Sequence, residues 1–206
     1  MKIRRIGLAA LIAASFPVYG QGLQSVETDK LRLLYFDPTE TYLVPRVIQS
    51  YHGSMEVQQR IFDYETDEKT TVLLVDFADY GNANATAVPS NLVMLQVSPI
   101  IPSFETFAPA ERMYTLMNHE MVHVVTTDQP APVDNKYRRF FGGKVLPVPE
   151  HPESAFYHYR TTPRDASPRW YLEGIAVFLE TWMAGGLCRA QGAYDEMMFR
   201  TMVRDD

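Results

Sequence analysis

Cysteine is nearly absent: Cys188 is the only one in 206 residues, so the chain can close no internal disulfide. A small exported scaffold stapled by disulfides is thereby excluded. A second shortage is of long apolar runs. The longest, Ile6 to Val18, covers about thirteen residues, against the roughly 20 that a membrane-spanning helix needs. Runs of like charge, internal repeats and low-complexity segments are missing as well. Acidic residues (25) outnumber basic ones (19), which speaks against nucleic acid or an anionic membrane as the main partner. What remains is 46% hydrophobic and 12% aromatic, enough for one sizeable core or two small ones. The fourteen prolines fit a globular domain with some long, rigid loops.

The first twenty residues have the order of a secretory signal peptide. Lys2, Arg4 and Arg5 precede the short apolar stretch, Pro17 interrupts it, and small or neutral residues lead to Gly20 and Gly22. Cleavage near there leaves residues 21–206 as a soluble, secreted or periplasmic protein with no stable membrane insertion. Loss of those three cations takes the net charge from −6 to −9. Cys188 reads as a partly buried structural thiol, with pairing to another chain as the alternative.

Leu31 to Phe36 reads as a strand closed by Asp37–Pro38. Between Thr39 and Tyr64, apolar residues at Leu43, Val47, Tyr51 and Met55, then Val57 and Ile61, give helical spacing with one slip. Gly53 is a candidate kink. Thr70 to Phe77 is β-branched and apolar, a buried strand. A turn-rich stretch leads to a further strand, Leu92 to Val97. Ala108 to Thr127 is apolar on nearly every side and predicts a buried helix. Residues 128–166 read as irregular. Ser167–Pro168 is an N-cap and first-position pair for a second buried helix, Arg169 to about Met183, ending at Gly185–Gly186. Tyr194, Met197, Met198 and Met202 mark a last amphipathic helix whose methionines read as packing.

Chemistry concentrates in the two buried helices. His119-Glu120-Met121-Val122-His123 is a His-Glu-x-x-His pattern. Residues four apart on a helix differ by about 40° in direction, so both imidazoles project from one face and can share an ion. Glu120 lies beside them, placed to hold water. Two imidazoles and a carboxylate in an apolar helix are expensive to bury without partners, and a zinc ion would satisfy all three. In the second helix Glu173 and Glu180, seven apart, lie only about 20° from eclipsed, among large apolar side chains. A carboxylate stripe on one helix and a His pair on another call for a cation between them. His119, His123 and Glu173 as ligands leave a fourth zinc position for water, the pattern of a catalytic site. Glu180 then orients a ligand histidine. Gly174 lowers helix stability by up to ~1 kcal/mol relative to alanine, which suggests close approach of another backbone.

These motifs resemble the gluzincin metallopeptidases, the aminopeptidase-N-like and thermolysin-like group. HEMVH is followed by WYLEGIAVFLE, with 49 residues separating His123 from Glu173. Trp170, Glu173, Gly174, Ala176 and Glu180 match the W-x-x-E-G-x-A-x-x-x-E segment of the aminopeptidase-like branch, whose Glu is the third zinc ligand. Leu172 stands where the best-known aminopeptidases have Asn. The resemblance implies an α+β zincin-like domain over residues ~70 to 185: a small mixed sheet packed on the zinc helix and its partner. Leu92 to Val97 would then be the edge strand along which substrate lies.

Two departures bear on function. The aminopeptidases' G-x-M-E-N motif has no match, so aminopeptidase specificity is not implied. The family's transition-state Tyr or His lies well downstream of the third ligand, where this chain stops. The expectation is therefore a catalytic domain truncated at its C-terminal end, with further domains beyond residue 206. Tyr157, His158 and Tyr159 read as a surface loop, with a lid carrying an oxyanion donor as the rival. His52 and His151 read as exposed, and Lys136, Arg138 and Arg139 as a solvated loop.

The expected function is hydrolysis of peptide bonds outside the cytoplasm, with Glu120 as the base acting on water activated by zinc. The rivals are a zinc hydrolase of another amide or ester, and a binding or assembly module that keeps zinc for stability only.

Overall fold

The structure, a computed structural model, describes residues 22–98, 112–183 and 193–205. The expected signal segment, Gly185–Gly186 and Cys188 lie outside the described residues. No helix among those described is long and apolar enough to cross a membrane.

The domain is mixed α/β, with a five-stranded mixed sheet and, among the described residues, six α-helices. Strands β1 (Gly22–Glu27) and β2 (Leu31–Asp37) form an antiparallel pair. Helix α1 (Val44–Phe62) carries the chain to β3 (Thr70–Val75), parallel to β2. β4 (Ala83–Thr86) and β5 (Leu92–Gln96) follow as an antiparallel pair, and the spatial order is β1-β2-β3-β5-β4.

That order corrects one expectation. β5, the predicted edge strand, is interior, parallel to β3 on one side and antiparallel to β4 on the other. The edge strand is β4, inside the stretch read as turns. Its ANAT sequence has no β-branched or aromatic residue before Thr86. Pairing with β5, not intrinsic preference, makes it a strand.

Helix α2 (Arg112–Asp128) is the centre of the molecule and is buried on nearly every side, as its composition predicts. One side meets Leu31, Leu33, Val72, Leu74, Val93 and Leu95 of the sheet and Val47, Tyr51 and Met55 of α1. The other packs through Val122 on Ala176 and Leu179 of α5 (Arg169–Met183).

α5 is less buried than predicted. Its inner face holds Ala176, Leu179 and Glu180, while Trp170, Tyr171, Phe178 and Trp182 are exposed. Gly174 lies on that outer side, and a Cβ placed there would meet nothing within 4 Å. The expected close backbone approach is absent among the described residues. In α6 (Ala193–Asp205), Met197, Met198 and Met202 are exposed and, among the described residues, do not provide the packing expected of them.

Residues 128–166 are not irregular. They contain α3 (Pro132–Phe141), α4 (Glu153–Thr161) and a 3-10 turn (Pro163–Ala166). Pro132 in the first turn of α3, Asp134 accepting the Ala131 N–H at 2.8 Å and left-handed Gly142 after its end are ordinary start and stop signals. The helices are too short to be stable alone, and tertiary anchors fix them. Arg138, expected in a solvated loop, gives Nη1 to Asp128 Oδ1 at 3.1 Å and Nε to the Thr161 carbonyl at 2.8 Å.

Candidate metal centre

Two polar cavities border α2. The larger, about 840 Å³, lies at its C-terminal end beside Asp128 and is lined by Glu68, Arg138, Arg139 and Lys144 among others. Its buried groups are matched. Lys144 Nζ lies 2.5 Å from Glu68 Oε1, 2.8 Å from Asn91 Oδ1 and 2.9 Å from Asp128 Oδ1. Tyr64 Oη and Asn91 Nδ2 both donate to Asp128 Oδ2. Burial alone would raise the Asp128 carboxyl; Lys144, Asn91 and Arg138 outweigh it and hold it below the usual range. Burial and the neighbouring carboxylate push the Tyr64 hydroxyl far up, so it stays a donor. Both oxygens of Asp128, the Asn91 amide oxygen and Glu68 Oε1 each accept from a donor.

The smaller cavity, about 470 Å³, contains the chemistry read from the sequence. His119, Glu120, His123, Leu116 and Thr127 of α2 form one wall, residues 82–87 along β4 another, and Asp165, Arg169, Leu172 and Glu173 a third. α2 packs directly on β4 and on α5.

The one-turn spacing of His119 and His123 brings their Nε2 atoms to 3.1 Å. Glu173 Oε2 stands 3.4 Å from the first and 3.6 Å from the second. These three residues form a group able to hold a metal ion. Donors at zinc bond lengths in a tetrahedron stand about 3.3 Å apart, so the triangle has the right size.

The surrounding contacts favour that use. His119 Nδ1 lies 2.8 Å from Glu180 Oε2 in the buried core. A carboxylate there accepts a hydrogen bond from Nδ1–H, the tautomer that leaves the Nε2 lone pair toward His123 and Glu173. Glu173 divides its oxygens, Oε2 toward the histidines and Oε1 toward Arg169 Nε at 3.6 Å. Glu120 is buried and lines the same cavity without belonging to the triangle. Thus His119, His123 and Glu173 converge, Glu180 backs His119, and Glu120 stands beside them.

Other expectations fare differently. His158 belongs to α4 and is largely buried: Nδ1–H donates to the Val145 carbonyl at 2.9 Å and Nε2 lies 3.0 Å from Asp165 Oδ2. Tyr157 stacks against Phe141 and Tyr159 is exposed. None of the three lines the cleft. His52 and His151 are exposed as expected. Sequence reasoning missed Asp165, Arg169 and the β4 residues as cleft walls. For β4, the only available signal was its place just before a strong strand, at hairpin distance.

No family model and no curated protein matches this chain.

Proposed function

We propose that this chain is an exported zinc metallopeptidase of gluzincin type, built on a zincin-like domain. The observation that carries the reading is the convergence of His119 Nε2, His123 Nε2 and Glu173 Oε2 from two helices, with the Glu120 carboxylate in the same cleft. Two imidazoles and one carboxylate are a zinc ligand set, and three protein ligands suit catalysis more than structure. Zinc bound there supplies Lewis acidity that acidifies water and polarises a carbonyl.

The residues of the chain do the rest. Glu120 accepts a proton from water entering the cleft and returns it to the departing amine. Glu180 holds the His119 ring through Nδ1 and keeps its other nitrogen turned toward His123 and Glu173, where it would ligate a zinc ion. β4 offers an edge unpaired among the described strands, to which an extended peptide backbone can hydrogen-bond. A site holding zinc for stability alone has no use for Glu120, which favours an enzyme over an assembly module.

The test is a comparison of the parent with Glu120→Gln. Both should contain close to one zinc per chain by elemental analysis, while the variant loses about 10²- to 10⁴-fold in peptide turnover. Turnover within a few-fold of the parent would remove Glu120 as the base, and a parent without zinc would remove the metal.

A further inference from the structure

We propose that Asp165 makes this cleft select peptides carrying a basic side chain near the bond to be cut, an inference resting on the peptidase reading above. Asp165 sits in the 3-10 turn just before α5 and lines the cleft with Thr127, His123 and Glu173.

Its position is fixed by a chain of contacts that begins at the buried Asp128 network. Arg138, held by Asp128, donates to the Thr161 carbonyl at the end of α4. Thr161 Oγ1 accepts the Val145 N–H at 3.1 Å, and the Val145 carbonyl accepts from His158 Nδ1. His158 Nε2 stands 3.0 Å from Asp165 Oδ2. The ring thus backs one carboxylate oxygen, and the side chain, 42% exposed, lines the cleft.

Among the described residues neither neighbouring arginine stands within ion-pair distance of Asp165. Arg164 Nη1 donates to Gln129 Oε1 at 2.5 Å, and Arg169 lies against Glu173. His158 is the only ion-pair partner of Asp165 among the described residues. The same cleft is lined by β4 with its small Ala83 and Ala85, and Leu116 and Leu172 offer apolar surface for the methylenes of a long side chain. A lysine or arginine finds a fixed acceptor here; a glutamate meets a like charge. Partial exposure keeps the effect modest, about threefold for lysine against an uncharged isostere and about tenfold against glutamate.

The zinc-loaded Glu120→Gln protein permits a binding test without turnover. Hexapeptides acetylated at the N-terminus and amidated at the C-terminus, with lysine, norleucine or glutamate placed at each position in turn, are titrated by calorimetry. Lysine should bind most tightly and glutamate least at one or two positions. Asp165→Asn should flatten the series. His158→Gln should weaken the preference while leaving the norleucine peptide unchanged, the mark of a positioning residue. Equal binding of lysine and norleucine peptides at every position, or a preference that survives Asp165→Asn, overturns the proposal and leaves the peptidase reading standing. A parallel titration of the unacetylated norleucine peptide that matches the lysine series in tightness also overturns it, since the α-amine is then what is read. No binding by any peptide overturns both.

Discussion

The two ends of α2 bury charge in opposite ways. At its C-terminus Asp128 receives hydrogen bonds from Lys144, Arg138, Tyr64 and Asn91, so both carboxylate oxygens are filled by protein donors. Five and nine residues earlier, His123 and His119 turn ring nitrogens toward each other and toward a carboxylate oxygen, three atoms able to act as electron-pair donors around one point. The first arrangement is complete without a ligand and anchors the helix. The second makes chemical sense around a cation. Buried polar residues alone do not mark a functional site; the balance of donors and acceptors does.

The sharpest test of that contrast sets Lys144→Met against His123→Ala. Removing Lys144 takes one of two cations from the buried Asp128 and a charged donor from Glu68, and should lower unfolding free energy by about 1.5–3 kcal/mol in denaturant titrations of the metal-free protein. His123→Ala should abolish stoichiometric zinc yet change metal-free stability far less. Equal destabilisation by the two would collapse the distinction between anchor and site.

A pH series sharpens it further. The Asp128 carboxyl is lowered in the folded protein, so below the ordinary carboxyl range the unfolded chain binds the extra proton. The contribution of Asp128 is complete above about pH 4 and is lost as pH falls through its lower folded value. Asp128→Asn should be less stable near neutrality and should lose less on acidification. Parallel acid curves for parent and variant would contradict this.

Smaller effects are expected from support residues. Glu180→Gln should weaken zinc binding by about 10- to 100-fold without changing the ligand set; unchanged affinity in a chelator competition would make the Glu180 contact incidental. Gly174→Ala, on the outside of α5 with no neighbour within 4 Å, should stabilise the protein by up to ~1 kcal/mol. Destabilisation would mean that some group does approach that face.

Much of the metal centre was legible because helical spacing is rigid: residues four or seven apart fall on one face whatever the rest of the chain does. His119 with His123, and Glu173 with Glu180, needed only that rule. β2, β3 and the core of α2 were legible from apolar, β-branched composition. β4 was hidden because an Ala-Asn-Ala edge strand is specified by its neighbour. α3 and α4 were hidden because their anchors, Asp128 with Arg138 and Val145 with His158, join residues far apart or on separate elements. The outer face of α5 misled for the opposite reason: large apolar side chains predict burial, yet here they meet solvent.

That outer face decides how the molecule looks in light. Both tryptophans of the chain, Trp170 and Trp182, lie on α5, and both indoles are in water, 77% and 64% exposed. Indole emission from the folded protein will already resemble that of a denatured chain, and an aqueous quencher will reach both fluorophores. A thermal melt followed at tryptophan emission should therefore show little or no step while the core around α2 comes apart. Circular dichroism, which follows the backbone, will see what the indoles cannot.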